Sequence, residues 1–384
     1  MKVAVLGYGT VGAGVYSMLS DAPGMEAGPV LVRPGKAVES FMVSDAALIF
    51  GDPTVDAVVE TLGGLDPAYS YGMRALEAGK HFITANKVMV ASHGLELAAL
   101  AREKGAAFLF SAACGGGVPF LHNLALSAET DRIEAVSGIL NGTTNYMLDA
   151  MQRRGLSYGD ALREAQSLGY AESDPTADVS GLDALRKMQL ACAVAFGVLP
   201  QSGMLCEGME HFTAADVEDI QSRGLVCRLM ARGSRAGESV SAYVEPVLFP
   251  RAAPESSVFT NNNMASYTGK RCGSIVLMGQ GAGRFPTASA VLRDLSAAQQ
   301  GARSMFPENC RAAEADNREA VNSYYIRTGG FAAVRLPLRS VLAQGEVVRA
   351  VTEPMSAEKM HALAQNIRKD GNDLFFAALE EELC

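Results

Sequence analysis

The 384-residue chain contains no tryptophan, and aromatic residues make up only 7% of it. It also has only five histidines, no Cys-x-x-Cys pair, and no uninterrupted apolar stretch of the roughly 18 residues a membrane-spanning helix needs. Its seven cysteines, Cys114, Cys192, Cys206, Cys227, Cys272, Cys310 and Cys384, are scattered and odd in number. That excludes a disulfide framework and a cysteine-based zinc site. Basic residues are in the minority, 33 Lys and Arg against 42 Asp and Glu, for a net charge of −9. This is the wrong sign for a nucleic-acid binder, whose affinity comes from neutralising phosphates. Met1 and Lys2 run directly into an apolar strand, without the basic region and cleavage site of a secretory leader. The expectation is a cytoplasmic protein with reduced thiols and neither nucleic acid nor membrane as partner.

What is present suits a globular α/β enzyme of two or three domains: 48% hydrophobic residues, 39 glycines and 20% charged residues. Lys2 to Leu6 reads as a strand that runs into Gly7-Tyr8-Gly9-Thr10-Val11-Gly12 and then a helix. Further strands are expected at 29–33, 57–61, 81–84 and 106–110. They alternate with helices from Pro67 to Ala78, with Asp66 as its cap, and from Ser92 to Lys104. Such alternation predicts a parallel, doubly wound Rossmann-like sheet over residues 1–130. From Asp131 the pattern loosens into a separate α+β domain, 131–286. A long helix is expected from about Ser180 to Phe196, with Ser180 and Asp183 as a capping pair. The helix at 287–300 is assigned back to the first domain, 301–320 reads as a linker, and 321–384 as a βαβαβ module with a short helix at 338–344.

In this strand–turn–helix context the glycine fingerprint points to a dinucleotide. Gly7 permits the turn, Gly9 lets the backbone approach a pyrophosphate, and Gly12 lets helix and strand pack closely. The phosphate then meets the positive end of the helix dipole. No acid follows the second strand at once, whereas Arg33 and Lys36 stand at its end. An acid there would bind a free 2′-hydroxyl and a cation a 2′-phosphate, so the pattern favours NADP over NAD, unless both are ordinary surface cations.

The segment Gly169-Tyr170-Ala171-Glu172-Ser173-Asp174-Pro175-Thr176-Ala177-Asp178-Val179 precedes a helix carrying Asp183 and Lys187. These two are i and i+4, one turn apart on one face, with the acid in the favourable N-terminal place. Alone this reads as a surface ion pair. Acids upstream change that reading, because they can hold a cationic amino group while the lysine handles a proton.

With Ile139-Leu140-Asn141-Gly142-Thr143-Thr144-Asn145-Tyr146, the 169–187 segment, Thr84-Ala85-Asn86-Lys87, and Gly281-Ala282-Gly283 with Pro286-Thr287-Ala288, the chain resembles the homoserine dehydrogenases over roughly residues 1–300. The resemblance implies reversible hydride transfer between NAD(P)H and aspartate 4-semialdehyde, giving homoserine. Lys187 would donate a proton to the carbonyl oxygen, Asp183 would orient it and the substrate, and Glu172 and Asp178 would receive the substrate amino group. Lys87 aligns with a lysine between cofactor and substrate. Asn141, Gly142, Thr143 and Tyr170 would line the substrate pocket, Gly169 would lie near the cofactor, and Gly281 and Gly283 would close over it. The resemblance also implies that 131–286 is the catalytic and dimerisation domain of a homodimer or homotetramer.

The family's monovalent cation, such as Na⁺, would be held by the carbonyls of Cys114, Gly116 and Val118. Where relatives commonly carry an acid that helps hold it, this chain has Ser111. The C-terminal module resembles a shortened ACT domain, with dimer packing and threonine sensing as its alternative roles. Three other readings compete: a sensor that binds nucleotide and amino acid without turnover, the same enzyme class acting on another amino-acid semialdehyde, and a Cys114 thiolate nucleophile, for which no histidine partner stands out.

Overall fold

The computed structural model describes residues 1–333 and 335–380, the side chain of Phe331 excepted; Cys384 lies outside them. The chain divides into two compact units. The first comprises Met1–Arg132, Gln189–Leu199 and Gly279–Arg311. The second comprises Ile133–Met188, Pro200–Met278 and the chain from Ala312 on.

The first unit holds a parallel sheet of β1 (Lys2–Leu6), β2 (Glu26–Leu31), β3 (Met42–Val43), β4 (Ala57–Glu60), β5 (His81–Thr84) and β6 (Phe108–Leu109). Their order is 3-2-1-4-5-6, the doubly wound arrangement expected from the alternation. Val3 to Leu6 and Ala57 to Val59 are fully buried, as apolar runs are when helices cover both faces of a parallel sheet. Two helix starts differ from expectation. Asp66 caps nothing: the helix Ala68–Glu77 begins behind Pro67 with no side-chain cap. The next helix runs Lys87–Lys104, five residues longer than its apolar spacing suggests, because the Asn86 side chain accepts from Met89 N at 3.1 Å. An Asn cap satisfies an otherwise orphaned N–H and fixes the start.

The second unit is built on a mixed sheet. Its strands lie in the order Gly273–Gln280, Asn262–Gly269, Ile133–Ile139, Leu225–Ala236, Ser239–Pro250, Leu374–Leu379, Tyr324–Gly329, Val347–Thr352 and Leu338–Ala343. The stretch 338–344, expected as a helix, is thus a strand: Leu338 pairs with Thr352 and Val341 with Ala350. The C-terminal chain therefore reads βαββαβ, not βαβαβ. Val247 pairs with Ala378 in parallel, so this sheet continues the sheet of the preceding residues. One apolar core serves both parts, with Ile139, Met230 and Phe249 alongside Tyr324, Ile326 and Phe376. Ser180 ends the short helix Thr176–Val179, and its hydroxyl makes no capping bond. Asp183 is committed elsewhere, as described next. Among the described residues no helix is long and apolar enough to cross a membrane.

Candidate active site

The first unit carries a cradle of glycines. Gly7 has φ +99° and donates its N–H to Leu31 O at 3.0 Å. A β-carbon at Gly12 would lie 2.1 Å from Gly7 O, so only glycine lets the Thr10–Leu19 helix approach β1 this closely. At Gly9, by contrast, a β-carbon would meet nothing within 4 Å. That is open space facing a helix N-terminus, the shape a pyrophosphate requires. Thr10 opens the helix, Val11 is half-buried behind it, and Tyr8 is 39% exposed with its ring 5.7 Å from that of Phe41. Arg33 and Lys36 stand on the turn after β2, Arg33 and Lys36 both reaching solvent, with Lys36 N donating to Arg33 O. The second glycine loop touches the 111–118 loop: a β-carbon at Gly116 would lie 2.3 Å from Gly281 O. Gly283 has φ +124° and precedes the helix Arg284–Gln299.

Lys87 is the first residue of its helix. A cation at the positive end of a helix dipole is locally unfavourable, and a hydrogen-bond chain fixes the start of this helix. The buried Glu60 carboxylate, at the end of β4, accepts from Leu62 N at 2.6 Å, Gly63 N at 3.1 Å and Thr84 Oγ1 at 2.5 Å. Thr84 Oγ1 accepts from Asn86 N at 2.9 Å, and Asn86 Nδ2 donates to Gly64 O at 2.6 Å. Glu60 is not among the residues that the sequence motifs single out. Its signal is an acid closing an apolar strand immediately before Gly63-Gly64, at the carboxyl edge of the sheet where such folds bind ligands.

The second unit carries the acid–base cluster. Lys187 Nζ lies 2.7 Å from Asp183 Oδ2 and donates to Leu140 O at 2.6 Å. Both side chains are 12% exposed, which removes the surface-ion-pair reading. Asn141 caps the helix Gly142–Arg154 by accepting from Thr144 N at 2.8 Å. Its amide nitrogen donates to Asp178 Oδ1 at 2.7 Å and to Asp183 Oδ2 at 2.9 Å. One asparagine thus joins two acids, and burial raises the Asp178 carboxyl above its ordinary range, with Asn141 opposing and Asp183 reinforcing. Thr143 Oγ1 donates to Tyr170 O at 2.5 Å, and the Tyr170 ring meets Tyr146 edge-on at 5.1 Å. Gly142 is tightly packed, since a β-carbon there would lie 2.7 Å from Asn261 O. Glu172 stands apart: it is exposed, and its carbonyl accepts from Gln166. Gly169, at φ +75°, ends the preceding helix on the surface.

Ser111, Cys114, Gly116 and Val118 lie on one loop of the first unit. Cys114 is fully buried, without the accessible setting of a reactive thiolate. Among the described residues no group of three or more His, Cys, Asp or Glu side chains is arranged to hold a metal.

The family model described as "Homoserine dehydrogenase" matches residues 119–296, and the model for the homoserine dehydrogenase NAD-binding domain matches residues 7–111. The chain is 37% identical over 319 residues to a homoserine dehydrogenase of Synechocystis, covering 77% of this chain and 72% of that one. To the homoserine dehydrogenase of Corynebacterium glutamicum it is 38% identical over 314 residues, covering 76% and 70%. The crystal structure of a homoserine dehydrogenase from Thiobacillus denitrificans superposes with a TM-score of 0.88 at 29% identity, covering 99% of this chain and 98% of that one.

Proposed function

The chain belongs to the homoserine dehydrogenase family, and on that premise we propose how its residues divide the reversible reduction of L-aspartate 4-semialdehyde to L-homoserine. A nicotinamide cofactor supplies the hydride. Gly7, Gly9 and Gly12 would hold its pyrophosphate, with Tyr8, Thr10 and Val11 around it and Gly169, Gly281 and Gly283 as further contacts. Arg33 and Lys36 would receive a 2′-phosphate, which makes NADP the favoured form and NAD the alternative.

Hydride reaching the carbonyl carbon leaves negative charge on oxygen, and Lys187 would protonate it. Its ammonium is fixed between Asp183 Oδ2 and Leu140 O, so the donor is oriented before substrate arrives. Asp178 and Asp183 would face the substrate ammonium, Asn141 keeping the two acids apart and correctly turned, and Glu172 would add a third acid. Gly142, Thr143 and Tyr170 would shape the pocket, and Lys87 would act at the cofactor and substrate. The carrying observation is the Lys187–Asp183–Asn141–Asp178 cluster, a largely buried cation beside more carboxylates than it needs. The βαββαβ module at the C-terminal end we read as ACT-like, serving to pack a homodimer or homotetramer or to sense threonine.

The test is substrate discrimination. L-aspartate 4-semialdehyde should be reduced at least about a hundredfold more efficiently than succinic semialdehyde, which lacks the amino group and would leave these acids unpaired. Equal efficiency would remove the carboxylates from substrate recognition.

A further inference from the structure

The loop from Ser111 to Val118 is held by two consecutive residues of the helix Arg284–Gln299. Ser111 donates its N–H to Asp294 Oδ2 at 2.7 Å and its hydroxyl to Asp294 Oδ1 at 2.6 Å. Ser111 is 2% exposed and Asp294 1%, so both carboxylate oxygens are committed in a dry interior. Next along the helix, Arg293 Nη2 donates to Gly117 O at 2.9 Å. Gly117 N donates in turn to Gln280 O at 3.0 Å, and Val118 O accepts from Phe120 N at 2.8 Å. A β-carbon at Gly116 would lie 2.3 Å from Gly281 O, so the middle of the loop is already pressed against Gly281.

A monovalent cation on the carbonyls of Cys114, Gly116 and Val118 does not fit this arrangement. The Ser111 hydroxyl is turned to Asp294, and the Asp294 carboxylate has both oxygens engaged by Ser111. A guanidinium sits on the carbonyl between two of the three proposed ligands. A second positive charge there would meet like charge at short range inside a poorly solvated site.

We propose that Arg293 and Asp294 lock the 111–118 loop in place of a bound monovalent cation, so that its conformation, and turnover with it, are independent of sodium and potassium. Arg293 supplies the positive charge to a loop carbonyl as a permanent side chain, and Asp294 supplies the carboxylate that Ser111 lacks. Both are positioning residues, fixing a loop that packs on Gly281. Only the kinetic consequence rests on the dehydrogenase reading.

The test compares the whole protein in sodium chloride, potassium chloride and tetramethylammonium chloride at equal ionic strength, by thermal unfolding and by ²³Na line width. The wild type should unfold at one temperature in all three salts and cause no sodium broadening that potassium reverses. A saturable rise in unfolding temperature with sodium or potassium, as ligand linkage demands of a bound ion, would overturn the proposal. So would sodium broadening that potassium competes away. Rates of NADPH oxidation should likewise be equal in the three salts, and several-fold activation by sodium or potassium would overturn it. Because melting and line width need no turnover, an inactive protein would count against the dehydrogenase reading and leave this test standing. Arg293→Met should melt lower and gain a dependence on sodium or potassium, with Arg293→Lys closer to the wild type. An Arg293→Met protein that melts like the wild type would contradict the lock, and if that variant fails to fold, the wild-type measurements decide.

Discussion

The amide nitrogen of Asn141 donates to Asp183 Oδ2 at 2.9 Å, joining residues 42 positions apart in the chain. The same nitrogen reaches Asp178, while the amide oxygen caps the helix that begins at Gly142. Asn141→Ser separates these roles, because serine caps a helix as well as asparagine does but cannot bridge two acids. The variant should keep its thermal stability nearly intact, while KM for aspartate 4-semialdehyde rises by about tenfold, the value of a lost hydrogen bond to a charged group. Steady-state kinetics alongside thermal melts check both halves, and an unchanged KM would remove Asn141 from substrate recognition.

Gly9 and Gly12 differ in what surrounds them. Gly12→Ala forces a β-carbon into Gly7 O and should destabilise the protein by about 1–3 kcal/mol, as overpacking does. Gly9→Ala has nothing to collide with in the protein, so melting should barely change while cofactor affinity drops. Thermal melts and NADPH fluorescence titration on the two variants distinguish a packing glycine from a binding glycine.

Arg33 reaches solvent at the end of the β2 turn, where it serves the fold little. Arg33→Ser should therefore raise KM for NADPH by about tenfold or more and leave KM for NADH nearly unchanged, since only the former carries the 2′-phosphate. Equal effects on both would assign the residue to the surface.

Much of this architecture is legible in the amino-acid sequence. The parallel order of the first sheet follows from alternating apolar runs and glycine turns, and the Lys187–Asp183 pair from helical spacing alone. The features that are not legible depend on pairing and hydrogen-bond partners that apolar spacing does not reveal. The 338–343 strand has no unambiguous period of its own and is made a strand by pairing with 347–352. The early start of the Lys87 helix, hidden in the apolar residues Val88 to Ala91, is set by Asn86, itself held by Thr84 and Gly64. Ser180 and Asp183 have capping-box spacing, yet Asp183 is drawn to Asn141 and Lys187. Glu172, placed among the acids by its position in the loop, is the member that side-chain packing leaves exposed.

Asp294 gives a stability prediction with a definite sign. Burial pushes its carboxyl from 3.8 up to about 7, against the lowering effect of the Ser111 bonds and Arg293. A carboxyl with a higher pKa folded than unfolded holds its proton more tightly in the native state. Its contribution is therefore complete below 3.8 and is lost as pH rises toward about 7. Measured as the difference from Asp294→Asn, wild-type stability should fall across that window and run parallel to the variant above it. A difference that is flat with pH would contradict the shift.

Lys187, as proposed, passes the proton to the substrate oxygen. The direct measurement is the rate of NADPH oxidation with aspartate 4-semialdehyde in Lys187→Ala, beside its NADPH affinity and far-ultraviolet circular dichroism. The expected result is a loss of about 10²–10⁴-fold in kcat, typical of a removed general acid, with cofactor binding and fold intact. A folded, NADPH-binding Lys187→Ala protein that turns over at the wild-type rate would contradict it.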